Sequence, residues 1–410
     1  MSILQHLVSV SNLALPFKIS KIMKENPVYT LKELAFYFLK LGTIGFGGPV
    51  ALVGYMHRDL VENRKWISEE EYKEGLALAQ LAPGPLAAQL GIYLGFVHYS
   101  FLGATLIGFA FILPSFIMVV LLGIVYKLYG GLSWIQAVFY GVGAAVIGII
   151  LMSSYKLTVK SIGKFNLTSF KTNWLLWLFF IIAIVITFVT QQEQILLFVF
   201  AGLLYMFVKA PPKWFNVRTA NSIALLQIGF WNFENTTLMK IGIFFAEAGA
   251  FVFGSGLAIV PFLHSGVVIE NQWLTENQFV DSVAVAMITP GPVVITVGFI
   301  GYLVAGFPGA LVAALATFLP CYLFTIALAP SFKKIAKNQS IKAFVDGITA
   351  AVVGALVGAV GVIASRSILD IPTTLIAILT IFALLYIKKI QEPYIIAVAA
   401  VIGILIKLIP

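Results

Sequence analysis

The residues of this sequence that could do chemistry are breaks in apolar backbone, not nucleophiles or metal ligands. Pro83-Gly84-Pro85 and Pro290-Gly291-Pro292 each interrupt a hydrophobic stretch; Gly47-Gly48-Pro49 and Gly254-Ser255-Gly256 do so more loosely. Proline cannot continue a hydrogen-bonded helix interior, glycine accepts positive φ, and a second proline suits the first turn of a new helix. Each Pro-Gly-Pro therefore ends one helix and starts another. The first N–H groups of the new helix lack intrahelical partners and lie at the positive end of its dipole, an arrangement that attracts anions. Gln80 and Gln89 flank the first break and Thr289 and Thr296 the second. As a group they complete the candidate substrate site, although any one of them could serve an ordinary interhelical hydrogen bond.

Ionisable residues inside apolar helices are a second class of candidate, for charge or proton coupling. Lys40 and Glu247 occupy equivalent places in two related segments, and an inverted repeat could bring them face to face if both lie close to its pseudo-twofold axis. Snorkelling is an equally good account of Lys40. Glu74 and Asp281 lie one or two turns into capped helices, where a carboxylate also simply favours the dipole. His57, with its equivalent His264, can carry a proton near neutral pH, yet a histidine beside a helix end is more often interfacial.

The elements that must position these residues are membrane helices. Hydrophobic residues make up 60% of the chain, charged residues 10%, and the mean hydropathy is +1.00. An average soluble domain carries roughly 25% charged residues. Apolar runs such as Phe101 to Tyr126 and Ile371 to Ile387 approach or exceed the roughly 20 residues that a bilayer requires. The lipid bilayer is thus its solvent. One cysteine and four scattered histidines offer neither a disulfide nor a metal-ligand spacing, so no cofactor is expected. The net charge of +9 does not imply nucleic acid, because cytoplasmic loops of any membrane protein collect Lys and Arg. The segment from Met1 to Lys24 lacks the order of a removable signal peptide.

The chain repeats itself. A shift of 207 residues carries Phe38, Gly42, His57, Trp66, Glu69 and Pro83-Gly84-Pro85 onto Phe245, Gly249, His264, Trp273, Glu276 and Pro290-Gly291-Pro292. Beyond one deletion the shift is 206, with Pro114 on Pro320, Gly141 on Gly347 and Gly148 on Gly354. The expected organisation is an N-terminal segment 1-30, a first repeat 31-210, a linker 211-237 and a second repeat 238-410. Paired repeats around broken helices are how many secondary transporters build a midplane site.

Each half is expected to hold a first helix from about Leu31 broken at Gly47-Gly48-Pro49, then a short helix opened by a capping box, Ser68 with Glu71 or Thr275 with Gln278. That helix ends at Pro-Gly-Pro after about 21 Å, too short to span. With the next short piece, Leu86 to Val97, it reads as a re-entrant hairpin, followed by four fuller helices. Five crossings per half would invert the second copy. Loop charges agree: Arg58, Arg64 and Lys65 face a second-copy loop with Glu270 and no Lys or Arg. The bias reverses where Lys127 alone faces Lys333, Lys334, Lys337 and Lys342, and again where Lys156, Lys160, Lys164 and Lys171 face Arg366 and Asp370. Lys18, Lys21 and Lys24 do not fit this scheme. Gly354 and Gly358 form a small-residue face that packs the halves together or, alternatively, makes a homodimer.

The stretch Phe38 to Pro49, F-L-K-L-G-T-I-G-F-G-G-P, followed by Trp66 and Pro83-Gly84-Pro85, resembles the signature of the chromate ion transporter family, in its long two-domain form. The second copy departs from it at Gly254-Ser255-Gly256. The fold class expected is all-α, a polytopic membrane protein of two inverted repeats. The resemblance implies a secondary transporter of the inner (cytoplasmic) membrane that exports chromate or the similar dianion sulfate. A passive anion channel and an intramembrane enzyme are the alternatives, although no nucleophile with a base, metal pair or carboxylate dyad stands at recognisable spacing.

Overall fold

In the computed structural model, the residues described are 28–46, 48–191, 195–212, 236–252, 256–332, 338–368, 370–387 and 391–408. Gly47, Gly254, Ser255 and the lysines Lys18, Lys21, Lys24, Lys333, Lys334 and Lys337 lie outside them. The described secondary structure is helical throughout. The first copy contains α1 (Leu31–Ile44), α2 (Gly48–Met56), a π-helical turn His57–Asn63, α3 (Glu69–Leu81), α4 (Leu86–Tyr129), α5 (Ser133–Ser161), α6 (Leu167–Thr172), α7 (Trp174–Thr190) and α8 (Ile195–Lys209). The second contains α9 (Thr237–Ala250), α10 (Val260–His264), a π-helical turn Ser265–Glu270, α11 (Glu276–Ile288), α12 (Thr296–Leu328), α13 (Gln339–Ser367), α14 (Ile371–Tyr386) and α15 (Glu392–Leu408).

Local chemistry sets the boundaries. The capping boxes expected at Ser68 with Glu71 and at Thr275 with Gln278 are both formed, and a third, Thr30 with Glu33, starts α1. Helix α3 ends before Pro83, and Pro85 caps α4 with φ −66°. Helix α4 itself doubles back at Tyr99 (φ −134°, ψ 19°) and Ser100 (φ 55°, ψ −149°); α12 does so at Ala305 (φ −138°, ψ 26°) and Gly306 (φ 63°, ψ −154°). A shift of 206 relates the two reversals residue for residue. Glycines let the arms close on each other: a Cβ on Gly95 would stand 2.5 Å from the Gly103 carbonyl oxygen, and one on Gly301 would stand 2.4 Å from that of Gly309. The arm 86–98 is therefore a short helix turned back on the longer 101–129, a reversal that the sequence reading, which paired 69–82 with 86–97, did not include.

Among the described residues four helices, α4, α5, the 293–328 helix that includes α12, and α13, are long and apolar enough to cross a membrane. Large apolar side chains face outward along them, among them Leu102, Phe109, Leu121 and Leu128, a surface suited to lipid and not to water. The halves are interlaced. Helix α13 of the second copy packs on α7 and α8 of the first, and α5 of the first packs on α14 and α15 of the second. Gly354 and Gly358 lie against the Phe180 and Ile184 carbonyls, and Gly141 against that of Ala399, so the small-residue faces join the two halves within one chain. Short α6 and the two π-helical turns are elements that the hydropathy pattern does not signal.

Candidate functional site

The two Pro-Gly-Pro breaks make contacts that exchange between copies. The Gly84 N–H donates to the Val252 carbonyl at 2.6 Å, and the Gly291 N–H donates to the Gly45 carbonyl at 2.9 Å. Gly84 corresponds to Gly291 and Gly45 to Val252, so the two bonds are one contact seen twice. Each Pro-Gly-Pro docks on the end of the other copy's first helix. Both glycines need their type: φ is +138° at Gly84 and +100° at Gly291. The residue after each in-helix proline closes over the opposite break, since a Cβ on Gly84 would lie 2.9 Å from Cys321 Sγ and one on Gly291 would lie 2.0 Å from Ser115 Oγ. Gly48, which opens α2 with φ +70°, faces open space, followed by the half-buried Pro49.

This docking changes which donors remain. The N–H groups of Gly84 and Gly291 are occupied by carbonyls, whereas those of Leu86, Ala87 and Ala88 and of Val293 and Val294 have no partner among the described residues. All five residues are buried, as are Gly256 and both Pro290 and Pro292. The flanking polar group does not converge as donors. Gln89 is fully buried and its amide nitrogen donates to the Pro83 carbonyl at 2.7 Å, leaving Oε1 unpaired. The Thr289 hydroxyl donates to Val285 (2.7 Å) and that of Thr296 to Val293 (2.9 Å), while Gln80 is exposed. Hydroxyls in membrane helices bond their own preceding turn when no better acceptor is near, which is the physical reason for the difference.

The ionisable candidates separate into local pairs. His57 Nε2 lies 2.8 Å from Glu69, and His264 Nε2 lies 2.7 Å from Glu276, the same pairing in both copies. Only the second is buried, and Arg366 reaches Glu276 at 3.3 Å while also bonding Gln191. Lys73 and then His57 hold the exposed Glu69 carboxyl below the usual carboxylate range. Glu74 is bonded by Tyr93 of its own copy. Its equivalent Asp281 is bonded at 2.7 Å by Tyr126 of the other copy, because Phe299 stands in Tyr93's place and packs against the Tyr126 ring. Lys40 and Glu247 do not pair: Lys40 is exposed, Glu247 lies beside Glu270, and no ion pair joins them among the described residues. Lys40 instead lines a pocket beside Gly45, which corrects the expectation that the two could meet face to face.

A pocket of about 290 Å³ that sequence reasoning missed borders the first break at Gly45. Tyr37, Lys40, Tyr55, Arg58, Asp59 and Arg64 line it. The signal was present in Arg58 and Arg64, which were read only as loop charge. Folding brings them onto the same wall as Lys40 because the π-helical turn His57–Asn63 carries the chain back over α1.

Comparison with known proteins follows the same division. The model of the chromate transporter family matches residues 32–206 and 239–404, which together cover most of the chain. The chain belongs to the chromate transporter family. Among relatives, a chromate transport protein of Cupriavidus metallidurans is 61% identical over 92% of this chain and 94% of its own length. A probable chromate transport protein of Synechococcus elongatus is 56% identical over 94% of this chain and 98% of its own length. A chromate transport protein of Pseudomonas aeruginosa is 30% identical over 81% of this chain and 80% of its own length. No solved structure matches. This kinship makes the chain a multi-pass membrane transporter and not an enzyme. Each matched segment of the transporter contains one Pro-Gly-Pro break and the equivalent His–Glu pair, His57 with Glu69 or His264 with Glu276.

Proposed function

We propose that the protein is a secondary active transporter that exports chromate, or the related dianion sulfate, across the cytoplasmic membrane, coupled to an ion or a proton. The observation that carries this reading is the reciprocal pair of bonds, Gly84 to Val252 and Gly291 to Gly45, which sets both new helix starts in buried backbone. Irregular backbone at membrane depth is tolerated only where it is buried in protein or lines a cavity. The free N–H groups at Leu86, Ala87 and Ala88 and at Val293 and Val294 are the donors offered to the anion. Hydrogen bonds to a charged group contribute about 1.5–3 kcal/mol each, so several offset much of a dianion's lost hydration. The names of the relatives favour chromate.

The reciprocity of the contacts is what a two-fold relation between the copies produces, and the loop charges favour an axis in the membrane plane. With Cys321 replaced, single cysteines near Arg64 and near Asn271 should then label from opposite faces; labelling from one face would end the inverted arrangement. The function itself is tested by flux of labelled chromate and sulfate in reconstituted vesicles with and without a pH gradient. Accumulation against a chromate gradient is expected. Flux that only ever runs downhill would identify a passive channel instead.

A further inference from the structure

We infer that the pocket beside Gly45 is a one-sided capture site for a tetrahedral oxyanion dianion, present in the first copy and closed in the second; this rests on the transport reading for its role, but not for the binding itself. Three cations, Lys40, Arg58 and Arg64, and one carboxylate, Asp59, leave a formal balance of +2 in the pocket wall. The cations are held in place by aromatic faces and by Asp59. Arg64 lies 4.5 Å from the centroid of Trp66 and 5.5 Å from that of Tyr37; Arg58 lies 5.3 Å from that of Tyr55, with its Nε 3.4 Å from Asp59 Oδ1. Stacked guanidinium groups keep their edge donors free for a planar or tetrahedral oxyanion. Lys40 has no ion-pair partner among the described residues.

A second observation points to a ligand independently of charge. Tyr37 is 5% exposed, lines this pocket, and its hydroxyl is buried without a hydrogen-bond partner. Buried hydroxyls are normally paired. An oxyanion seated among the three cations supplies the missing acceptor.

The second copy has dismantled each part of the site. The 207-residue shift puts Phe244 in place of Tyr37, Glu247 for Lys40, Phe262 for Tyr55, Ser265 for Arg58, Gly266 for Asp59 and Asn271 for Arg64. Phe244 and Phe262 stack with centroids 5.4 Å apart, and a Cβ on Gly266 would lie 1.9 Å from the Phe244 ring, so phenyl groups fill the space. Glu247 and Glu270 add negative charge. Anions are thus gathered at one end of the path and not at the other, and the Arg-rich end is the cytoplasmic one under the positive-inside rule. That asymmetry gives export a structural reason: the anion is captured from dilute solution inside and released outside where nothing holds it.

The same chemistry fits the phosphate of an anionic lipid, and the test separates the two sources. Chromate and sulfate binding is measured calorimetrically on the full chain in nanodiscs of neutral phosphatidylcholine, alongside chromate uptake into inside-out vesicles. Arg64→Gln is expected to weaken chromate binding at least tenfold and to raise the half-saturating concentration for uptake by a similar factor, with the maximal rate falling less than twofold. Tyr37→Phe removes only a hydroxyl that no protein group uses, so it tests the site without disturbing the fold; a several-fold weakening is expected. Arg64→Lys should recover part of the loss, and Lys73→Gln, an exposed charge elsewhere, should shift binding less than twofold. If chromate binds the variants as it binds the parent, the inference is overturned. Loss of co-purifying phosphatidylglycerol in Arg64→Gln, with chromate binding intact, would overturn it in favour of a lipid site. A parent that binds chromate in this pattern but carries none across the membrane would sink the transport reading and leave the pocket standing.

Discussion

The Gly84 N–H and the Val252 carbonyl, 2.6 Å apart, belong to different copies of the repeat, and their bond is matched by that of Gly291 with Gly45. Two breaks that each look local in the sequence are thus completed only by the other half of the chain. Gly84 has φ +138° and no room for a Cβ, whereas Gly48 has φ +70° with open space around it. Gly48→Ala should therefore cost only the left-handed strain, about 1–2 kcal/mol. Gly84→Ala should add overpacking of about 1–3 kcal/mol against Cys321 and Gln89. Thermal unfolding in detergent should rank parent, Gly48→Ala and Gly84→Ala in falling order. For Gly291→Ala, removing the obstructing hydroxyl with Ser115→Gly should return part of the loss.

Ser100 holds φ 55° and ψ −149° at the reversal of α4, where the second copy has Gly306 in the same conformation. Strain at such a position costs about 1–3 kcal/mol for a residue with a Cβ. Ser100→Gly should raise stability, by about 1 kcal/mol after the added chain entropy of glycine. A lowered unfolding midpoint would mean that the serine side chain supports the turn.

Because α5 is packed by α14 and α15, and α13 by α7 and α8, neither half can bury its own second long helix. Each half expressed alone should be degraded, while the two co-expressed as separate chains, cut between residues 211 and 237, should associate and be recovered together. Independent accumulation of either half would contradict the interlaced packing.

Much of this arrangement was legible beforehand. The capping boxes at Ser68 and Thr275 and the ends of α7 followed from residue types with local geometric consequences, whereas the reversal at Tyr99 and Ser100 did not. What escaped was relational. Nothing in the stretch around Gly84 says that its N–H finds Val252, or that Phe299 in place of Tyr93 hands Asp281 to Tyr126. The basic pocket escaped for a similar reason: Arg58 and Arg64 obey the positive-inside pattern whether or not they converge with Lys40. Sequence periodicity reports which face is apolar, but not which distant element covers it.

Lys40 is exposed and Glu247 sits beside Glu270, with no ion pair between them. Substitutions at residues that do not touch add within about 0.3–0.5 kcal/mol. Lys40→Met and Glu247→Gln should accordingly show additive effects on unfolding free energy in a double-mutant cycle. A coupling above about 1 kcal/mol would place the two in contact during the transport cycle.

The central claim is that the anion passes the paired Pro-Gly-Pro breaks, held by the helix starts that Gly84 and Gly291 make possible. A β-branched residue resists the positive φ at both positions and would strike Cys321 or Ser115. The decisive measurement is chromate flux in vesicles by Gly84→Val and Gly291→Val, with insertion checked by protease protection and compared with the parent at equal protein. Flux at background for both inserted variants is the predicted result; flux at the parent rate would contradict the claim and put the path elsewhere in the bundle.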